Sequence, residues 1–206
     1  MRSFTLAWVE APLVGPHEQL RRDEELLFAG KGVLRVWEAV QECVVLGQTG
    51  RPERDVHVSA CECAGVPIMK RCSGGGAVLL GPGCLIYSLV LPLEWEPMWS
   101  EVRYSLTWVM HRMCDSLGVP GLRLEGDCDL ALDLCKVSGN AQRRTQHAIL
   151  HHGTLLYNFD GWRAELFLKP PQREPQYRGK RGHAEFLGNL PLSAEQIRER
   201  LREAWC

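Results

Sequence analysis

Apolar positions fall into two patterns along this chain, a three-to-four spacing in some stretches and short unbroken runs in others. From Glu18 to Ala29, Leu20, Leu27 and Phe28 sit among charges with Gly30 and Gly32 just beyond, which predicts a helix and its stop. Leu34, Val36 and Trp37 open a strand, and Val44-Val45-Leu46 before Gly47 a second. Asp55 to Ala64 reads as a short helix ended by Gly65, and Val66 to Met69 as a short strand leading into a glycine-rich stretch. Cys84 to Leu91 is apolar almost throughout and ends at Pro92, the mark of a buried strand.

Between Ser100 and Leu117, residues Val102, Leu106, Val109, Met110, Met113 and Leu117 keep helical spacing up to Gly118. Such a stripe belongs to a core. Leu122 to Leu124, Asp129 to Leu134 and Ile149 to Phe159 read as further strands. Ser193 with Gln196 forms a capping box for a last helix, whose apolar face is Ile197, Leu201 and Ala204. Helices interspersed with strands predict an α/β or α+β fold, with mixed β-sheets flanked by helices.

Composition narrows the function classes. The 206 residues are 45% hydrophobic and 24% charged with a net charge of −1, which fits one globular domain over 1–206. That balance argues against a general nucleic-acid binder. No apolar run approaches the roughly 18 residues of a membrane span, and the first residues show no signal-peptide pattern, so the expected setting is cytoplasmic. Nine cysteines, an odd number set mostly in apolar sequence, suit buried free thiols in a reducing compartment. Cys61-Glu62-Cys63 lacks the spacing and the second pair of a structural zinc site.

Three segments carry chemistry. Arg71-Cys72-Ser73-Gly74-Gly75-Gly76-Ala77-Val78 would let backbone amides approach an anion, with Arg71 adding a bidentate contact. It lacks the Gly-Lys-Ser/Thr ending of a nucleotide P-loop, and a plain hairpin turn would explain the glycines equally well. Lys136 stands between strand residues and an apparent Ser138-Gly139 turn, where its ammonium suits a carboxylate or phosphate. His151 and His152 are adjacent on a strand and point to opposite faces, which predicts one buried and one exposed.

Taken in order, Arg71-x-Ser-Gly-Gly-Gly-Ala-Val78, Lys136-x-Ser-Gly-x-Ala-Gln142 and His151-His-Gly-Thr-Leu-Leu156 resemble the lipoate-protein ligase A family of the biotin and lipoate ligase superfamily. The likeness runs from about residue 20 to about residue 192 and includes Asp23-Glu24 and Val44-Val45-Leu46-Gly47. It implies a mixed-sheet fold with the active site on one open sheet face. It also implies activation of lipoate, or octanoate, with ATP and Mg²⁺ to an acyl-adenylate. Transfer to a lysine of a lipoyl domain or H-protein-like carrier follows. Arg71, Gly74, Gly75, Gly76, Ala77, Val78 and Leu79 match the adenylate-binding loop. Lys136 matches the catalytic lysine, with Ser138 and Gly139 beside it on the nucleotide. Arg71, Gly76, Lys136, His152 and Gly153 are the implied lipoate contacts, and Asp129 the implied acidic position near Mg²⁺.

The chain departs from the family at three points. Leu80 replaces a common histidine, Cys128 stands where ligases carry asparagine, and no C-terminal accessory domain is expected after the 193–204 helix, so that such a domain would be a separate polypeptide or the enzyme would work without it. Two other readings stay open: an octanoyltransferase with Cys128 or Cys135 as nucleophile, and a non-catalytic relative that binds an acyl chain or an acceptor. Arg143, Arg144, Arg178, Lys180 and Arg181 are the expected basic residues for an acidic acceptor.

Overall fold

In the computed structural model, which describes residues 4–206, the chain runs β1 Ala7–Val9, α1 Pro16–Ala29, β2 Val33–Glu38, β3 Cys43–Leu46, α2 Pro52–Asp55, α3 Val58–Ala64, β4 Ile68–Lys70 and β5 Val78–Leu80. It continues with β6 Cys84–Pro92, α4 Val102–Leu117, β7 Arg123–Glu125, β8 Asp129–Leu132, β9 Cys135–Arg144, β10 Ala148–Leu156, α5 Gly161–Phe167, α6 His183–Phe186 and α7 Ala194–Trp205. Met1 to Ser3, the start of the segment read as lacking a leader, lie outside the described residues. Among the described residues no helix is long and apolar enough to cross a membrane.

The apolar run of β6 is buried along its whole length because it is an inner strand of a seven-stranded sheet ordered β1-β2-β6-β10-β9-β8-β7. All neighbours in that sheet are antiparallel except β1 with β2. A smaller sheet, β4-β3-β5, pairs β3 parallel to β4 and antiparallel to β5. Both sheets are mixed, as the fold class expected.

Strand alternation divides the large sheet into two faces. Leu34, Tyr87, Leu89 and Ile149 point toward α4 and α7, where Met110, Met113 and Leu201 complete one core. Trp37, Ile86 and Leu156 point the other way and meet Val44 and Leu46 of the small sheet and Phe167 of α5. α1 covers this second face further along, with Leu27 against Val33, Val90 and Leu150.

Several expected boundaries move for local reasons. The 55–64 helix divides, because Val56 is extended and bridges to Leu168 between α2 and α3. The 100–117 helix begins at Val102, since the Glu101 carboxylate caps the amides of Arg103 and Tyr104. The strand expected to reach Leu134 stops at Leu132, where Asp133 and Leu134 adopt left-handed φ values of 49° and 66°. The Ser138-Gly139 turn does not exist: both residues lie inside β9, and the chain reverses ahead of Lys136 instead. The sequence pattern marks no element at β1, β5, α5 or α6, each of which is seven residues or fewer.

Candidate active site

The glycine-rich segment joins β4 to β5 and is folded around the side chain of Arg71. Arg71 Nε donates to Ser73 Oγ (3.0 Å), Nη1 to the Val45 carbonyl (3.2 Å), and Nη2 to the carbonyls of Gly74 (2.6 Å) and Gly76 (3.0 Å). Burial lowers its pKa to about 10. The guanidinium expected to face an anion thus organises the loop from inside. Gly47 makes this approach possible: a Cβ there would stand 2.2 Å from the Gly75 carbonyl oxygen.

Lys136 enters from β9. Its ammonium lies 2.8 Å from Asp129 Oδ1, while the Tyr177 hydroxyl donates to Asp129 Oδ2 at 3.0 Å. Its stem crosses Gly139, where a Cβ would come within 2.7 Å of Lys136 Cε. The Ser-Gly pair of the motif is therefore strand that gives the lysine room. Ser138 itself is fully buried and bonds to Asn140, whose carboxamide also accepts from Tyr87.

The two histidines do face opposite ways, but both are buried, correcting the expectation that one would be exposed. Each face of β10 is covered, one by α4 and α7 and the other by α1. His151 Nε2 is 3.1 Å from the Tyr87 hydroxyl and its Nδ1 is 3.0 Å from Gln142 Nε2. Burial depresses its pKa to about 3, keeping it neutral. His152 faces the other core, 2.6 Å from Ser73 Oγ and 3.4 Å from Asp23.

Between the two sheets these groups enclose a cavity of about 240 Å³. Of the residues singled out from sequence, Arg71, Gly75, Gly76, Ala77, Val78, Leu79, Leu80, Lys136, Gly139, His152, Gly153 and Arg178 line it. Gly74, Ser138 and Asp129 do not; Asp129 acts on it through Lys136. The remaining wall is largely apolar, with Leu20, Val45, Ile86, Leu156, Phe159 and Phe186. Sequence reasoning missed Asp23 as a wall residue, although its place in the family likeness had marked the position, and it missed Arg173, which no motif announced.

Four of the five basic residues expected to serve docking are engaged with the chain itself. Arg143 donates to the Cys72 carbonyl, Arg144 to that of Ser100, Arg178 to that of Arg181, and Arg181 to those of Leu134 and Tyr177. Lys180 is exposed. All nine cysteines are free, though only Cys43, Cys61 and Cys84 are buried. Cys128 Sγ donates to the Asn140 carbonyl at 3.0 Å, and burial, with Asp129 second, pushes its pKa up to about 11. For magnesium, the donor set is thin: both oxygens of Asp129 are engaged, by Lys136 and Tyr177, and a hard cation needs six or so oxygens. These residues do not form a resident Mg²⁺ site.

Comparison with known proteins places this arrangement. Residues 16–204 match the family described as the lipoyl protein ligase A/B catalytic domain. A protein of Aeropyrum pernix named for lipoate-protein ligase A is 30% identical over 196 residues, covering 92% of this chain and 70% of the relative. Among solved structures, a bipartite lipoate protein ligase of Thermoplasma acidophilum, studied with its E2 lipoyl domain, superposes with a TM-score of 0.79. It is 21% identical and is matched over 99% of this chain and 82% of its own. A lipoate-protein ligase A bound with ATP gives 0.75 at 22% identity, over 98% of this chain and 84% of its own. The structures share the fold, and with the sequence match over 16–204 the conclusion is that this chain belongs to the lipoyl protein ligase A/B catalytic domain family.

Proposed function

We propose that this chain is an ATP-dependent lipoate-protein ligase. It would activate lipoate or octanoate and transfer the acyl group to a lysine of a lipoyl domain or H-protein-like carrier. The observation that carries the reading is the cavity: one largely apolar space whose wall also holds Lys136 and the glycine-rich loop. An acyl tail suits the apolar wall, and a carboxylate meeting a phosphate suits the lysine and the loop.

Carboxylate and phosphate repel, so a mixed anhydride forms only where cations and oriented amides lie between them. In our reading Lys136 exchanges Asp129 for the substrate carboxylate and the α-phosphate. The amides of Gly75, Gly76 and Ala77 then face the developing negative charge. The carboxylate oxygen attacks the α-phosphorus and pyrophosphate leaves. In the second step the acceptor's lysine amine attacks the acyl carbon, and AMP leaves with the bond electrons. Magnesium enters as part of the Mg·ATP substrate. The relative crystallised with ATP and the bipartite relative studied with a lipoyl domain support the nucleotide and the acceptor class, and make a separate accessory subunit the proposed partner.

No protein nucleophile is needed, which agrees with the thiol of Cys128 being protonated and donating to a carbonyl. Incubation with Mg·ATP and lipoate, followed by measurement of pyrophosphate release, tests the reading. Acyl transfer from an acyl-carrier thioester without ATP would replace it with the octanoyltransferase.

A further inference from the structure

Beneath the glycine-rich loop, side chains from separate parts of the chain join in one hydrogen-bonded line. Arg35 on β2 is wholly buried, and its Nη1 donates to Asp23 Oδ1 on α1 at 2.8 Å. Asp23 Oδ2 lies 3.4 Å from His152 Nδ1, and His152 Nε2 lies 2.6 Å from Ser73 Oγ. Arg71 Nε, 3.0 Å from the same Oγ, ties the line to the loop.

The two arginines fix its direction, because a guanidinium only donates. Asp23, paired with Arg35, is an acceptor and calls for a proton on His152 Nδ1. Ser73 Oγ accepts from Arg71, and with the ring proton on Nδ1 the bare His152 Nε2 takes the hydroxyl hydrogen. In this sense every bond has one donor and one acceptor. A neutral ring with its proton on Nε2 would instead leave the bare Nδ1 facing Asp23 Oδ2, acceptor against acceptor. Asp, His and Ser in this order also make hydrolytic triads. Here, however, Ser73 is only 1% exposed, is absent from the cavity wall and already holds Arg71, so it is no nucleophile.

We propose that Asp23, His152 and Ser73 are positioning residues for the glycine-rich loop. They present Ser73 Oγ to Arg71, which stays turned inward and grips the carbonyls of Gly74 and Gly76 before any ligand arrives. The inference deepens the ligase reading and rests on it for the reaction, but not for the loop's order. If only a fraction of molecules hold the loop in its competent form, apparent affinity falls by that fraction, whereas turnover from the bound state does not.

The test uses the full chain and its Ser73→Ala and Ser73→Thr variants. Nitrogen-15 spectra of the histidines in the free protein should find His152 neutral with its proton on Nδ1; a proton on Nε2 overturns the proposal. In pyrophosphate release, Ser73→Ala should raise KM for lipoate and Mg·ATP on the order of tenfold, with kcat changed by less than about twofold, and Ser73→Thr should restore KM. A fall in kcat at unchanged KM is what simple loss of folded protein produces, and it overturns the proposal too. Should the wild-type protein release no pyrophosphate, the ligase reading fails by itself. The proposal is then decided by the spectra and by hydrogen exchange at the Gln48 amide, which donates to the Ser73 carbonyl at 2.8 Å. Faster exchange there in Ser73→Ala at equal global stability supports it, and unchanged exchange overturns it.

Discussion

At Lys136 an ammonium rests against one carboxylate and beside an open cavity, so it can trade one anion for others without crossing a charge-free state. Removing it in Lys136→Ala takes away the charge that would bridge two developing anions. The expected cost is about 3 kcal/mol in the barrier, a rate of adenylate formation some hundreds-fold lower. Thermal unfolding should change little, because the residue is on the site surface of β9. Near-normal pyrophosphate release by that variant would remove Lys136 from the mechanism. Cys128 makes the opposite case. A thiol held protonated near pH 7 by burial and by Asp129 cannot attack readily. Cys128→Ser should keep ATP-dependent ligation, and mass spectrometry of the wild-type protein should find no acyl adduct on this residue.

Among the elements, the β8–β9 hairpin is the least comfortable. Its two-residue turn has both residues at positive φ, a conformation suited to Asp-Gly, yet Leu134 occupies the second place and is 59% exposed. A left-handed leucine costs roughly 1–2 kcal/mol, part of which glycine returns in unfolded-chain freedom. Leu134→Gly should therefore stabilise the protein by about 0.5–1 kcal/mol, read as a higher urea midpoint at constant m. The same hairpin shows what sequence could not yield. Cys84–Pro92 was legible as a strand because its apolar run needs two covered faces, and α7 because its cap and stripe agree. β9 was hidden: Ser138 and Gly139 look like a turn, and only the sheet around them makes them strand. In the site, motif order was enough to gather just under half of the cavity wall from three distant segments, while the wall from Phe159 to Leu187 carried no motif. The Asp23–His152–Ser73 line was not legible, since its members lie 79 and 129 residues apart and share no periodicity.

At the scale of the whole molecule, one core carries its own sensitivity to acid. His151 lies sealed in the α4 and α7 core, with its pKa depressed from 6.5 to about 3. Between those values the unfolded chain takes up a proton that the native state refuses, so stability falls as pH drops. The contribution is about 1.4 kcal/mol per pH unit within that window and vanishes above it. His151→Gln should lower stability at pH 7 but flatten this slope, as denaturant titrations at pH 4 to 7 would report; equal slopes would exclude His151 as the source. The placement of β6 has a consequence at synthesis. Its nine buried residues carry no charge and wait for β10, which leaves the ribosome only after α4, β7, β8 and β9 have been made. At translation rates of about 5–20 residues per second, a nascent chain displays that uncharged strand with one unpaired edge for several seconds. A stall in that interval, between residues 92 and 148, would leave a fragment more prone to self-association than the finished protein.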